Sequence, residues 1–423
     1  MDGGPAKDGG GPDVTTGITN FKNEGHMFLY LRLGIIAGAA VTGLIGCSTA
    51  ARNSGHHGAD ATVPDNCRQL NLGPSVGAEA ISGDGKVVIG EQLLVTAHFI
   101  PPSPGTAKII RWTKADGART IGVIPLPVYW MATAIDIQTS RDGSVVMGNL
   151  VDTNLTGKDF SLHPFRWTTA GGMQDLGEKS GDRSTQVECL SADGSVCAGE
   201  GNLAARIDSK FYPGPHFFRW TRRRGFEDLG GIRLPGSSLT LIEGISDDGT
   251  VVTGAFNFPS PGGNHVFRWT QAGGIQDLGS LGGQSASVIR ASADGTALIA
   301  VVKMADNTKH VVRWTQTGGS HDLGVLGNQY ANPACASEDG SVVVGDVQGR
   351  PFRWTSAAGL QYIWNVPPQR QVDLIGMTTD GSKVVVNVGP PAYAGFSALW
   401  QPTENYKGSY PRIFLFDFGT SVK

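Results

Sequence analysis

The stretch that decides the fold is HPFRWTTAGGMQDLG, residues 163–177, because the chain repeats it. Its Arg-Trp core recurs at Trp112, Trp167, Trp220, Trp269, Trp314 and Trp354, and in a degenerate form at Trp400. Successive copies lie about 40 to 55 residues apart. A repeat of that period predicts a solenoid, a propeller or another array of similar units.

A second motif precedes each Arg-Trp copy. It consists of Ser or Thr, a variable residue, Asp and Gly, and we call it the SxDG motif. Its copies begin at Ser82, Ser140, Ser191, Ser246, Ser292, Ser337 and Thr378. In the third copy, VECLS and SVCAG flank residues 192–194, where Gly194 can supply the left-handed residue of a three-residue hairpin loop. Each SxDG motif is therefore predicted to join two antiparallel strands.

Each repeat is predicted to contain four short strands. The third repeat continues from SVCAG through HFFRWT and GFEDLG. The second strands are continuous apolar runs, such as residues 87–89 and 342–344, which indicates burial on both faces. We therefore predict an all-β fold, a seven-bladed β-propeller of four-stranded antiparallel blades over residues 68–404. A β-helix would need shorter rungs, and a β-sandwich would not repeat so regularly.

The seventh repeat is incomplete in the sequence. No counterpart of GGMQDLG follows Trp400 directly, whereas RQLNLG at residues 68–73 matches a fourth strand without the three that should precede it. We therefore expect the N-terminal strand to close the ring and residues 405–423 to form a C-terminal tail. The competing candidate for the closing strand is FLFDFG, which ends at Gly419.

The repeats resemble the HAF-repeat family of extracellular bacterial proteins, whose units share His, an aromatic residue, Arg and Trp. The matching histidines are His163, His216, His265 and, more weakly, His310. The matching Asp-Leu-Gly endings begin at Asp175, Asp228, Asp277 and Asp322. Copies one, six and seven depart from the pattern, with Lys108, Arg350 and Phe396 in place of His. The resemblance covers most of residues 75–400, implies an exported repeat protein and transfers no known activity.

The repeated Arg is interpreted as a structural residue rather than a nucleic-acid contact. Successive side chains of a strand point to opposite faces, so the Arg and its aromatic neighbours are separated. A four-residue turn at 169–172 would place Arg166 opposite Asp175 and Arg268 opposite Asp277, which predicts an ion pair within each hairpin. The net charge of −3 adds no bulk attraction to nucleic acid.

No catalytic, metal or cofactor motif stands out in the sequence. The equivalent histidines of adjacent blades would lie roughly 10 Å or more apart, too far to share a zinc ion with bonds of about 2 Å. The Ser and Asp of the SxDG motif are interpreted as turn residues that bond locally. We expect no metal site, no cofactor and no nucleic-acid partner.

The N-terminal region predicts export and lipid attachment. From Met27 to Cys47 the sequence has a short leader with Arg32, then an apolar run too short to span a bilayer comfortably. The last four residues, which resemble the lipobox of bacterial lipoproteins, are Leu44, Ile45, Gly46 and Cys47. That resemblance implies cleavage before Cys47 and acylation of this residue, so that membrane lipid becomes a partner.

Ser48 follows the lipobox, and by the same resemblance this favours the outer membrane of a Gram-negative bacterium. Residues 27–46 are then the signal peptide, and residues 47–67 are a linker. Residues 1–26 are polar and Gly-rich, which is unusual ahead of a signal peptide. We interpret them as a segment upstream of a true start at Met27. A buried helix or a membrane anchor remains an alternative interpretation of the apolar run.

Two of the remaining cysteines are close in sequence. Cys189 and Cys197 lie symmetrically about the third SxDG turn, so a disulfide across that hairpin is a candidate. Cys335 occupies the same position as Cys189 in another repeat, where Ala80 and Gly244 also occur. A requirement for a small side chain is therefore the alternative explanation.

The two faces of the predicted propeller differ. The turns that join strands one to two and three to four are short and similar, whereas the connections on the opposite face vary; we call the latter the loop face. Variable loops on a rigid frame are where binding residues usually lie. The candidate binding residues in those connections are Tyr129, Trp130, Phe211, Tyr212, Phe256, Phe258, Tyr330, Arg370 and Tyr393.

The sequence thus predicts a lipid-anchored, non-enzymatic binding or scaffold module for a protein or a glycan. The alternative is a propeller enzyme, a glycan hydrolase or lyase with acids at the central channel. A purely structural component of the envelope is the third hypothesis.

Overall fold

The computed structural model describes residues 65–73, 76–94, 106–125, 130–154, 160–176, 185–201, 205–207, 210–212, 216–230, 238–258, 262–327, 330–364, 370–391 and 412–419. Over these residues the chain forms strands, turns and irregular segments. No helix among them is long and apolar enough to cross a membrane.

The strands are numbered along the chain and form seven blades. The chain begins with β1 (Cys67–Leu70), and blade 1 follows with β2 (Val76–Ile81), β3 (Val87–Leu94), β4 (Thr106–Thr113) and β5 (Gly117–Pro125). Blade 2 has β6 (Trp130–Thr139), β7 (Val145–Asn154), β8 (Phe160–Thr168) and β9 (Gly172–Asp175). Blade 3 has β10 (Gln186–Leu190), β11 (Val196–Gly201), a small hairpin of β12 (Ala205–Ile207) and β13 (Lys210–Tyr212), then β14 (His216–Thr221) and β15 (Gly225–Gly230).

The other blades follow the same order. Blade 4 has β16 (Ser238–Ile245), β17 (Val251–Phe258), β18 (Gly263–Thr270) and β19 (Gly274–Gly279). Blade 5 has β20 (Ser285–Ala291), β21 (Ala297–Lys303), β22 (Lys309–Thr315) and β23 (Gly319–Val325). Blade 6 has β24 (Ala331–Ala336), β25 (Val342–Val347), β26 (Arg350–Thr355) and β27 (Gly359–Tyr362). Blade 7 has β28 (Arg370–Met377), β29 (Lys383–Pro391), β30 (Arg412–Asp417) and, as shown below, β1.

Seven four-stranded antiparallel sheets are arranged as a seven-bladed β-propeller, which confirms the predicted fold. The first strands of successive blades contact one another, so they form the inner ring. The second strands are buried on both faces, as expected: Val87, Val88 and Ile89 in β3 are at most 2% exposed. The core therefore lies between the blades, where each sheet packs against its neighbour.

The seventh blade is closed by both ends of the chain. β1 is its outermost strand and pairs with β30, which in turn pairs with β29. The N-terminal strand is therefore the closing fourth strand, as predicted. The third strand is β30, however, and not a segment containing Trp400, which lies outside the described residues. The predicted C-terminal tail is wrong at this point, because the apolar side chains of residues 413–416 are buried in the blade.

Each SxDG turn is held by its own side chains. In blade 1 the Ser82 hydroxyl donates to Oδ1 of Asp84 at 2.7 Å and accepts the Val87 N–H at 3.0 Å. The Gly of the motif has a positive φ in all seven copies; at Gly143 it is +70°. A Cβ on Gly143 would lie 2.4 Å from Val87 of the preceding blade. The motif is therefore both a hairpin turn, as predicted, and a joint between blades.

The repeated Arg does not pair with Asp inside its hairpin, so that prediction was wrong. Thr168 pairs with Gly172, which leaves three residues in the turn instead of four and places Arg166 opposite Gln174. The arginines donate to the SxDG glycine carbonyl of the next blade, and Arg219 Nε reaches Gly249 O at 2.8 Å. Arg219 also pairs with Glu227 of its own hairpin, with Nη1 3.4 Å from Oε2. The four such donors are Arg111, Arg166, Arg219 and Arg268. The two repeated motifs therefore recur together because they bond to each other.

The His and Asp of the HAF-like motif bond to each other instead. Asp277 lies opposite Phe267, one place from the predicted partner. Its Oδ2 lies 3.1 Å from Nδ1 of His265, and the matching distance between Asp322 and His310 is 2.6 Å. The motif is thus a structural pair on the outer hairpin.

Cys189 and Cys197 are both free thiols, so no disulfide forms between them. A bulge shifts the register, and Cys197 lies opposite Leu190 while Cys189 lies opposite Ala198. The two side chains therefore enter different clusters of the core on the two faces of blade 3. The alternative explanation, a small buried side chain, agrees with this structure.

Candidate functional site

The first strands of the seven blades surround a central channel of about 920 Å³. Every blade contributes to its wall. One residue from each blade in turn is Ile81, Gln138, Glu188, Glu243, Arg290, Pro333 and Met377. The channel is therefore the place where side chains from distant repeats converge.

One end of the channel, which we call the floor, is formed by the SxDG turns. Neighbouring SxDG turns are joined by backbone hydrogen bonds, except between blades 5 and 6, where no such bond is found among the described residues. The described turns form six such links, of 2.8 to 3.1 Å, and the donor N–H groups belong to Asp84, Arg141, Ala192, Asp247, Glu338 and Thr379. These backbone bonds join the turns of blades 6, 7, 1, 2, 3, 4 and 5 in one continuous series at the floor.

Charged side chains cross the floor. Arg141 of blade 2 lies 2.6 Å from Asp247 of blade 4, and 3.9 Å from Glu338 of blade 6. Arg290 of blade 5 lines the same channel. Burial lowers the pKa of its guanidinium, Glu338 and Asp247 raise it, and Arg141 lowers it. Two cations and two anions thus balance each other at the floor of the channel.

Carboxyl groups line the wall above the floor. Six first strands carry a bulge three residues before the Ser or Thr of the SxDG motif. The bulged residue is Glu79 in blade 1, Glu188 in blade 3 and Glu243 in blade 4. A bulge redirects a side chain out of the sheet. Oε2 of Glu188 accepts the Ile242 N–H at 2.9 Å, which connects it to the next blade.

These carboxyl groups keep their protons to unusually high pH. Burial raises the pKa of Glu243 to about 8. Burial first, and then the carboxyl of Glu91, raises the pKa of Glu79 to about 8. Burial and the Glu200 carboxyl raise the pKa of Glu188 well above its usual range. Each side chain keeps some accessible surface, and for Glu188 and Glu243 the channel supplies it.

Lysines lie at the other end of the channel, on the loop face. Lys303 ends β21 directly opposite Lys309 at the start of β22. Lys309 Nζ donates to Ala331 O of blade 6 at 2.7 Å. Its pKa is lowered by burial and then by the charge of Lys303, and Asp346 opposes this shift. The mouth is therefore basic where blades 5 and 6 meet.

For several predicted binding residues the structure describes only the backbone, or the residue lies outside the described ranges. Tyr129 and Tyr393 lie outside the described residues. The backbone of Trp130, Phe211, Tyr212 and Arg370 lies in β6, β13, β13 and β28 respectively. The predicted lipidation site, Cys47, and the lipobox residues before it also lie outside the described residues.

Phe256 is not a loop residue, and its assignment to the binding surface was wrong. β17 pairs with β18 as far as Phe258 opposite Gly263, so the strands are longer than predicted. Phe256 is fully buried and stacks on Phe267 with ring centroids 4.9 Å apart. Phe258 is half-buried and packs against His265 at 4.4 Å.

Tyr330 is exposed at 62% of its surface, at the loop-face end of blade 6. Three further residues at this end of blades 5 and 6 were not predicted. Arg350 places its guanidinium 3.8 Å from the ring centroid of Tyr362, and Val325 is 48% exposed. We call Val325, Tyr330, Arg350 and Tyr362 the blade 6 patch.

The sequence reasoning missed Glu188, Glu243 and Arg141 although a signal was present. When the repeats are aligned on the SxDG motif, these residues occupy its variable position and the bulge position. Both positions change chemistry between copies while their neighbours stay similar. Within the described ranges, no three His, Cys, Asp or Glu side chains converge as metal ligands.

No family model matches the sequence, and no curated protein matches it. Solved structures that are similar to the chain include the β-propeller domain of the Trilobed protease from Pyrococcus furiosus, at 12% identity and a TM-score of 0.47 over 74% of this chain and 90% of that one. An oligogalacturonate lyase from Vibrio parahaemolyticus matches at 12% identity and a TM-score of 0.48 over 84% and 94%. TolB from Acinetobacter baumannii matches at 13% identity and a TM-score of 0.36, over 79% of this chain and only 64% of TolB. The chain itself is a seven-bladed β-propeller.

Proposed function

We propose that this protein is a non-enzymatic binding or scaffold module that contacts a protein or a glycan through its loop face. The observation that carries the proposal is the difference between the two faces. Six backbone bonds join the seven SxDG turns in series. The connections on the loop face range from two residues between Val347 and Arg350 to about twenty between Pro391 and Arg412. A rigid frame with diverse loops on one face is the usual arrangement of binding proteins.

The blade 6 patch is the contact surface that the described residues favour. Tyr and Arg are the residue types most enriched at interface positions that contribute strongly to binding. Arg350 and Tyr362 already stack on each other, so less side-chain entropy is lost when a partner covers them. Tyr330 and Val325 extend the patch with exposed apolar surface.

Site-specific photo-cross-linking in cells tests this proposal. A photoreactive phenylalanine analogue at position 330 should yield a cross-linked partner. The same analogue at Lys86 should not, because Lys86 is exposed next to an SxDG turn on the opposite face. Equal products from both positions, or none from position 330 together with no signal on a glycan array, would contradict the proposal.

The proposed module is exported and held at the outer membrane of a Gram-negative bacterium through lipid on Cys47. The support is the sequence alone: the lipobox-like residues 44–47 after an apolar run, and the linker before the first strand. Labelled palmitate should enter the wild-type protein and not the Cys47→Ser variant, and the variant should leave the membrane fraction. Label on both proteins, or on neither, would refute lipid attachment at this residue.

A propeller enzyme acting on glycans is the second candidate, favoured by the acids of the channel. Glu188 and Glu243 line its wall, and their raised pKa suits a general acid. Each carboxyl, however, already accepts a backbone N–H from the next blade. Hydrolase or lyase activity on a polysaccharide panel that is lost in Glu243→Gln would favour the enzyme over the binding module.

A further inference from the structure

We propose that the central channel binds a short peptide with free ends, with its amino group against Glu188 and Glu243 and its carboxylate at Lys303 and Lys309. This site is separate from the blade 6 patch and adds a small ligand to the proposed function. Four features of the channel carry the inference: its narrowed floor, its acidic wall, its basic mouth and its length.

The channel carries charged groups at its floor. The linked SxDG turns and the ion pair between Arg141 and Asp247 narrow it there. A ligand therefore enters from the loop face. The volume of about 920 Å³ is within the range of small-molecule pockets and accommodates several amino-acid residues.

The acidic wall holds carboxyl groups close together. Gln186 Nε2 donates to Oε1 of Glu188 at 3.0 Å and to Oε1 of Glu200 at 2.9 Å, so these two acids share one amide. In Glu243, Oε2 accepts the Val288 N–H at 2.8 Å, and no described residue bonds to Oε1. Acids held together favour a cation between them, because it removes their repulsion.

At the basic mouth, positive charges repel each other. Lys303 and Lys309 face each other directly across two antiparallel strands, and like charges in that position destabilise the pair. The carboxylate of Asp346 stabilises the charged form of Lys309. It also accepts a hydrogen bond from Asn332 Nδ2 at 3.2 Å. A carboxylate at the mouth would neutralise the lysines.

The distance between the two charged regions selects the ligand. Ile289 occupies the bulge position in blade 5 that Glu243 occupies in blade 4. Lys303 pairs with Ser285, four residues before Ile289. Four residues of strand correspond to about 13 Å along the channel. A fully extended peptide of four residues has about the same length. A four-residue peptide with a free amino group and a free carboxylate can therefore reach the acidic wall and the basic mouth at the same time.

Isothermal titration calorimetry of the full chain with tetra-alanine tests the proposal. The peptide with two free ends should bind, and acetylation of its amino end or amidation of its carboxyl end should each weaken binding at least ten-fold. Glu243→Gln should weaken only the effect of acetylation, because Glu188 remains, and Lys303→Ala should weaken only the effect of amidation, because Lys309 remains. Lys86→Ala on the opposite face is the matched control and should change neither effect.

Proton release provides a second readout. Glu188 faces the carboxyls of Glu200, Asp136 and Glu243, and an ammonium among these groups favours ionised forms. Binding of the free peptide near pH 7 should therefore release protons, and its heat should differ between phosphate and Tris buffers. The acetylated peptide should show no such difference.

Equal affinities for the free and capped peptides, or no binding of the free peptide at millimolar concentration, would overturn the proposal. The peptide comparison uses the unmodified protein, so it does not depend on whether a variant folds. Glu243→Gln also keeps an acceptor for the Val288 N–H. Cross-linking from position 330 is an independent measurement, so this site can fail while the proposed function stands, and the reverse also holds.

Discussion

Replacing Gly194 by Ala should destabilise the protein more than the same change at a turn glycine with a similar φ. Gly194 has a φ of +70°, and its new Cβ would lie 2.4 Å from Cβ of Val145 in the preceding blade. The left-handed conformation costs a non-Gly residue about 1–2 kcal/mol. Overpacking against a core side chain costs a further ~1–3 kcal/mol. The expected loss in the free energy of unfolding is therefore about 2–5 kcal/mol.

Gly225 is the matched control. Its φ is +67°, and no atom lies within 4 Å of the Cβ that Ala would add. Gly225→Ala should therefore show only the conformational cost of about 1–2 kcal/mol. Urea unfolding followed by tryptophan fluorescence should give a lower midpoint for Gly194→Ala than for Gly225→Ala.

The double variant Val145→Ala with Gly194→Ala isolates the contact between blades. Val145→Ala removes the two methyl groups that would lie 2.6 and 2.8 Å from the new Cβ and leaves only the contact with the Val145 Cβ, so the double variant should lose less stability than the sum of the single changes. Equal midpoints for Gly194→Ala and Gly225→Ala, or additive losses in the double variant, would refute the idea that the SxDG glycine is needed for packing between blades.

Three further predictions concern the same frame. Arg219→Met should lower the free energy of unfolding by about 1.5–3 kcal/mol, because the charged donor to Gly249 O is lost together with the ion pair to Glu227. Urea unfolding measures the loss, and Arg222→Met at an exposed position should have little effect. The folded pKa of Glu79 is about 8 and lies above its unfolded value. Stability should therefore fall as the pH rises from about 4.3 to 8, by about 1.4 kcal/mol per pH unit for this one buried carboxyl. Thermal unfolding of Glu79→Gln should show a weaker dependence of stability on pH. Deleting residues 412–419 should be at least as damaging as deleting β1, because β30 is an inner strand of its blade; circular dichroism and proteolysis report it.

Each of these predictions has a contradicting result. Arg222→Met matching Arg219→Met would mean that the bond between blades contributes nothing. A stability that rises from pH 5 to 8 would show that Glu79 is not protonated preferentially in the folded state. A well-folded protein without residues 412–419 would show that β30 does not complete the seventh blade.

Much of the fold was predictable because local chemistry repeats. The positive φ of Gly194, the hydrogen bonds of Ser82 and Asp84, and the buried runs of the second strands all follow from residue types within one hairpin. Repetition then strengthens each local inference. The outermost strand of blade 7 was also predictable, because RQLNLG lacks partners before it.

Errors arose where one residue of register decides the partner. The outer turn of blade 2 is one residue shorter than expected, so Arg166 faces Gln174 and turns its guanidinium to the next blade. A bulge in β10 likewise separates Cys189 from Cys197. Longer strands in blade 4 moved Phe256 from a loop into the core. A single shift reverses the face of every following side chain.

The amino-acid sequence by itself determined the repeat, the hairpins, the number of blades and the difference between the two faces, because each depends on residues near one another in the chain. Tertiary structure alone decided how the ring closes through β30 and which charges meet at the axis. Arg141, Asp247 and Glu338 are separated by two blades each, and only the closed ring brings them together. The same closure brings the acidic wall and the basic mouth into one channel.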